Sequence, residues 1–199
     1  MRTLIALCLL GALGVGLLHA ATDGFRALTS ETARRLAVAA EARPVPDVGV
    51  RDQSGAVLSL GETDGRLRVV NFIYTRCPDV CLALGDALQQ LQRDLPAERL
   101  GRDVLLLSIS FDPAHDSPER MAAYARWFRA GEGWRVLRPE DAEGLDALLE
   151  TFGVVVIPDG QGGFEHNAAL HLVDREGRLV HITDLEDVAG MRARLEGLW

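Results

Sequence analysis

The chain has no run of basic residues. Its 21 arginine and lysine side chains are scattered among 29 aspartates and glutamates, for a net charge of −8. With no basic stripe to follow a phosphate backbone, nucleic acid is not expected as a partner. There is also no low-complexity tract, heptad run or internal repeat, which leaves local motifs to carry the function. Cysteine is scarce. Cys8, Cys77 and Cys81 are all there is, too few for a four-thiolate zinc site.

What remains is an ordinary globular composition. The 199 residues are 48% hydrophobic, enough for one cored domain behind a leader. Residues 1–22 are that leader: Met1, Arg2 and Thr3 precede an uncharged stretch from Leu4 to Thr22 that ends at Asp23. It reads as an export signal cleaved after Ala20 or, being long enough to cross a bilayer, as a retained membrane anchor. Cys8 lies inside the apolar run and reads as a buried membrane thiol. Residues 23–44 form an amphipathic segment and linker. Phe25, Leu28, Thr32 and Leu36 recur there at near-helical spacing beside Arg34 and Arg35, which favours retention at a membrane. Pro44 and Pro46 mark the entry to the domain, residues 45–199.

Within the domain, "VGVRDQSGAVLSL" alternates around Ser54 and Gly55 as a hairpin does, and "LRVVNFIY" is a continuous apolar strand. Val80, Leu84, Ala87, Leu88 and Leu91 then recur at helical spacing. "DVLLLSIS" is a second buried strand. Ser117 caps a helix that begins at Pro118 and turns Met121, Tyr124, Ala125 and Phe128 inward. Leu145, Leu148, Leu149 and Phe152 give a third helical face, followed by strands in "GVVVI", "AALHLVD" and "RLVHI" and a short helix within 185–198. This order predicts an α/β fold, a mixed central sheet flanked by helices with an N-terminal hairpin. Cysteines opening the first helix of the domain make it thioredoxin-like.

Once exported, a domain left with Cys77 and Cys81 lives where thiols oxidise, so the pair is a structural disulfide, a redox dithiol or a metal clamp. Cys77 at a strand end and Cys81 one turn into a helix share a face, and the helix N-terminus favours thiolate. The spacing is C-x-x-x-C with Pro78 first, which departs from the C-x-x-C of redox pairs and weakens that reading. A peroxidase reading, with Thr75 and Arg76 beside Cys77, is weakened by the second cysteine. Two thiolates need a further donor to hold a soft metal well. Of His19, His115, His166, His171 and His181, His115 and His166 sit at loop ends, where ligands usually come from. A last hairpin lying beside the cysteine-bearing strand brings His166 within reach. Asp112 and Asp116 read as turn and capping residues with His115 solvated between them, and strand alternation puts His171 on the face opposite His166.

"FIYTRCPDVC", "SISFDPAHDSPERMAAYA" and "EHNAALHLVDREGRLV" together closely resemble the Sco/SenC family of exported copper-binding proteins, from about Val45 to the C-terminus. The family motif T-x-C-P-x-x-C is met by Thr75, Cys77, Pro78 and Cys81, and its D-P-x-x-D-[ST]-P turn by Asp112, Pro113, Asp116, Ser117 and Pro118. The register of the family's histidine selects His166, with Glu165 in place of an aspartate and His171 where an aromatic usually stands. The resemblance implies one copper, Cu(I) or Cu(II), held by Cys77, Cys81 and His166 and supplied to the binuclear copper site of cytochrome c oxidase. It also implies a place on the periplasmic side of the inner membrane, anchored or released by signal cleavage. A thiol reductant or a second copper chaperone would be further partners. The alternative is a thiol-disulfide oxidoreductase acting through Cys77 and Cys81 on the oxidase's copper-site cysteines or on other periplasmic thiols.

Overall fold

The computed structural model describes residues 2–22, 24–61, 64–77 and 80–198. Pro78 and Asp79 of the cysteine motif lie outside the described residues. The chain divides into two compact units, residues 1–41 and 42–199.

In the first unit, helix α1 (Arg2–Ala21) is long and apolar enough to cross a membrane by length and composition. Helix α2 (Ser30–Ala40) is capped by Thr29, whose hydroxyl accepts from the Thr32 amide at 3.1 Å. Glu31 pairs with both Arg34 and Arg35 in its first turn. The near-helical spacing read from Phe25 therefore spans a break: Phe25 has φ 63° and lies, with Leu28, ahead of the cap.

The second unit runs β1 (Arg43–Pro44), β2 (Gly49–Asp52), β3 (Val57–Ser59), β4 (Leu67–Ile73), α3 (Val80–Asp94), β5 (Val104–Ser110), α4 (Pro118–Trp127), β6 (Trp134–Pro139), α5 (Ala142–Phe152), β7 (Val156–Pro158), β8 (Phe164–His166), β9 (Leu170–Val173), β10 (Arg178–Thr183) and α6 (Val188–Glu196). Eight strands form one sheet in the order β1-β10-β9-β4-β5-β6-β2-β3, while β7 and β8 pair only with each other. β4, β5 and β6 are parallel, and the remaining pairings are antiparallel. The mixed α/β architecture is the expected one. β4 and β5 are buried at every position, as their unbroken apolar runs require of strands covered on both faces. α3 packs on β4 and α6, and α4 and α5 pack on β6.

Two elements differ from the sequence reading. β6, absent from that reading, lies between β5 and β2. Its apolar Trp134, Val136 and Leu137 are buried, but Arg135 and Arg138 break the run that marks β4 and β5. The strand expected to begin at Gly153 begins at Val156, because Gly153 adopts φ 65° as the left-handed cap of α5. His166 closes the small β7–β8 hairpin, and β9 starts only at Leu170, so His166 and His171 belong to different sheets. β4 and β5 end side by side, and the loops after their carboxyl ends carry the cysteines and the Asp112–Asp116 turn. That is where parallel α/β sheets place their sites.

Candidate functional site

The cysteine loop leaves β4 through Tyr74 and is gripped at once. Asp116 is fully buried, and its carboxylate accepts from the Thr75 amide at 3.0 Å, the Thr75 hydroxyl at 2.5 Å and the Ser110 hydroxyl at 2.5 Å. Asp116 thus ties the loop after β4 to the turn after β5 rather than capping α4. The cap of α4 is Ser117, as expected, with Pro118 in the first turn. Asp112 also reaches across. Its Oδ2 takes Arg76 Nη2 at 2.6 Å and Nε at 3.2 Å, while Oδ1 lies 2.8 Å from His115 Nδ1. Burial pushes the Asp112 carboxyl up, but the bonds to His115 and Arg76 and the guanidinium charge outweigh it and hold the pKa below the ordinary value.

Both motif thiols are free. Cys77 is half-buried, and its sulfur accepts from the Cys81 amide at 3.3 Å at the start of α3. Cys81 is 1% exposed. The expectation that the helix N-terminus holds both cysteines towards thiolate fails at Cys81. There burial dominates and pushes the thiol well above its ordinary pKa. A cation bound at the sulfur would reverse that balance.

The hairpin delivers His166 to the same place. His166 Nε2 lies 3.7 Å from Cys81 Sγ. Thiolate and imidazole bonds of about 2.3 and 2.0 Å, as at zinc, put two donors of one tetrahedral ion about 3.5 Å apart, so this pair stands nearly at the separation a shared ion needs. Burial lowers the His166 pKa to about 4, which keeps the ring neutral and its lone pair available at neutral pH. Its Nδ1 is buried without a partner among the described residues, a polar orphan of the kind that ligand sites carry. Among the described residues no three His, Cys, Asp or Glu side chains already stand as a metal cluster. Cys81 lies beside His166 and beside the Cys77 side chain, whose sulfur also takes the helix amide. Two free thiols and a neutral imidazole are a donor set suited to copper.

Residues that sequence reasoning missed hold the hairpin in place. Tyr74 Oη accepts from the Phe164 amide at 3.2 Å. The rings of Tyr74, Phe111, Phe164 and His166 pack edge-on or tilted with centroids 5.0–5.7 Å apart. Arg76 Nη1 donates to Gly162 O at 3.0 Å, so one guanidinium joins the cysteine loop, the β5 turn and the hairpin loop. Phe164 and His166 share the inner face of β8, which leaves Glu165 exposed on the other. His171 is buried away from the hairpin, with Nδ1 3.1 Å from Val70 O and its ring against Phe72 and Phe152. His115 is exposed at Asp112, and His19 belongs to the other unit.

Residues 44–198 match the SCO1/SenC family model. A protein of Stutzerimonas stutzeri named for copper binding is 30% identical over 141 residues, 69% of this chain and 67% of its own. The structure of Bradyrhizobium japonicum ScoI with copper bound is 25% identical at a TM-score of 0.67, covering 78% of this chain and 99% of that one. BsSco, described as a member of the Sco family of cytochrome c oxidase assembly proteins and as containing a disulfide switch, is 21% identical at a TM-score of 0.69, covering 79% and 94%. The chain belongs to the SCO1/SenC family.

Proposed function

We propose that this chain holds one copper ion between Cys77, Cys81 and His166 and passes it to the binuclear copper site of a cytochrome c oxidase. The observation that carries this reading is the part-buried pairing of Cys81 Sγ with His166 Nε2 at 3.7 Å, His166 standing at the end of the β7–β8 hairpin. Thiolates suit Cu(I), and the imidazole extends the site to Cu(II). The family relationship and the copper-binding relatives support the same metal.

Cys77 is the accessible arm and Cys81 the buried one, so an incoming donor displaces Cys77 first and Cys81 last. Transfer is then stepwise ligand exchange with no change in the metal's oxidation state. Helix α1 anchors the domain on the periplasmic side of the inner membrane, with residues 23–44 as the linker.

The test is a titration of the reduced full-length chain, in detergent, with Cu(I) and Cu(II). The expected result is one tight copper per chain and a thiolate-to-Cu(II) charge-transfer band. Cys77→Ser or Cys81→Ser abolishes tight binding of either ion, and His166→Ala keeps Cu(I) but loses much of the Cu(II) affinity. Unchanged Cu(II) binding in His166→Ala removes that ligand. No tight copper, with a readily cycled disulfide, sinks the copper reading in favour of a second one. The difference in exposure between the two free thiols favours that second reading: Cys77 attacks a substrate disulfide, Cys81 resolves the mixed disulfide, and the substrate gains the two electrons that the pair gives up. An external dithiol would then restore the pair.

A further inference from the structure

Cys77 and the buried Cys81 line a cleft of about 320 Å³ between α3 and α4. Its floor is made by Tyr124 and Phe128. Gly85 makes that floor possible: a Cβ there would fall 2.3 Å from Phe128 Cζ, so only glycine lets the ring lie against α3. The rim differs in kind. Leu82 is 40% exposed and Trp127 74% exposed, with Ala123 open between Arg120 and Trp127 along one stripe of α4. Among the described lining residues the one charge is Arg120, whose guanidinium has no partner among the described residues. A free cation and an exposed tryptophan beside two thiols stand out on a chain of net charge −8.

Ligand exchange needs the incoming donor within bonding distance of a metal at these sulfurs, and both cysteines are among the residues that line this cleft. Whatever takes the metal by this face passes Leu82 and Trp127. A large exposed aromatic next to a site of exchange is the residue type that anchors protein contacts, and an unpaired arginine at the rim selects a carboxylate partner. We propose that the α3–α4 cleft is the docking site of the copper acceptor. An apolar side chain of the acceptor's donor-bearing loop enters against Leu82 and Trp127, and an acidic residue beside it pairs with Arg120. This rests on the copper-transfer reading above and adds the surface through which transfer occurs.

The test uses the full-length chain in detergent and the soluble copper-site domain of the oxidase subunit as probe. Three quantities are measured for the native protein, Trp127→Ala and Arg120→Glu: affinity of the metal-free reduced chain for the probe, Cu(I) affinity, and rates of copper loss to the probe and to a small chelator. Both residues are exposed, so both variants fold. The expected result is a loss of about tenfold in probe affinity for Trp127→Ala and less for Arg120→Glu. Transfer to the probe slows in parallel, while Cu(I) affinity and loss to the chelator stay unchanged. If the native protein transfers copper to the probe and both variants bind and transfer equally well, the cleft is not the docking site and the function stands. If Trp127→Ala weakens Cu(I) binding itself, the residue serves the metal site, and the docking proposal falls. If the native chain neither binds the probe nor gives it copper, docking and delivery to the oxidase fall together.

Discussion

Cys77 and Cys81 follow a seven-residue strand buried at every position, whereas His166 ends a three-residue strand that lies outside the main sheet. The cysteine arm is fixed from behind by β4 and from the side by the buried carboxylate of Asp116. The histidine arm rests on side chains: the Tyr74 hydroxyl, the Arg76 guanidinium and an aromatic stack. Local opening begins where buried backbone pairing is least, so in the metal-free chain His166 is the side chain set to come and go. This makes a physical division of labour. On the proposed copper reading, the rigid arm would supply the two sulfurs that suit Cu(I) until an acceptor displaces them, and the lighter arm would add the nitrogen that Cu(II) wants.

The largest effect is expected on the rigid side. Asp116→Ala leaves the Thr75 amide, the Thr75 hydroxyl and the Ser110 hydroxyl without their acceptor in a buried setting, which costs on the order of 3 kcal/mol. Urea unfolding of the full-length chain reads the loss, and binding of both Cu(I) and Cu(II) weakens together because the sulfurs lose their common support. Unaltered Cu(I) affinity in a folded Asp116→Ala protein would show that the cysteine loop holds itself.

The next effect separates the arms. Tyr74→Phe keeps the ring stack and removes both hydrogen bonds of the hydroxyl to the hairpin at Phe164, one accepted from the amide at 3.2 Å and one donated to the carbonyl at 3.4 Å, together worth about 1 kcal/mol. Cu(II) affinity should drop roughly fivefold and Cu(I) affinity less, since the hydroxyl also touches Cys77, as measured by competition titrations. Arg76→Ala acts in the same direction through the lost bond to Gly162 O, and it also takes the guanidinium from the buried carboxylate of Asp112. Equal losses for both ions would mean that the hairpin supports the sulfurs as well, and the comparison between the arms would collapse.

Legibility in the sequence follows the same line. β4, β5 and α3 were plain because each is a local pattern, an apolar run or a helical stripe, and the two cysteines fell at the strand-to-helix junction as read. β6 was hidden because Arg135 and Arg138 interrupt its apolar run, although it is interior to the sheet. A loop position and the family register single out His166, which in the structure ends β8. The residues that place it carry no such signal, since Tyr74 and Arg76 meet Phe164 and Gly162 across some 86–90 residues of chain. Asp116 looked like a turn residue and is instead the clasp between two loops. The direction of the Cys81 pKa is not legible in the sequence, because spacing reveals the helix terminus and not the burial that overrides it.

The smallest expected effect concerns acid. Asp112 has its folded pKa depressed: burial opposes ionisation, and the bonds to His115 and Arg76 more than compensate. A carboxyl with a lowered folded pKa contributes stability above its unfolded pKa of about 3.9 and loses that contribution as pH falls through the lower, folded value. In Asp112→Asn the side chain no longer titrates, so the stability gap to the native protein should be constant from neutrality to about pH 4 and should shrink below it. Urea midpoints measured at stepped pH test this directly. A gap that closes already between pH 7 and 5 would place the titration on a group other than this carboxylate, and the junction of Arg76, Asp112 and the hairpin loop would not be the electrostatic link between the two arms. A gap that persists unchanged at pH 2.5 would mean that Asp112 works through its hydrogen-bond geometry alone, which asparagine only partly reproduces.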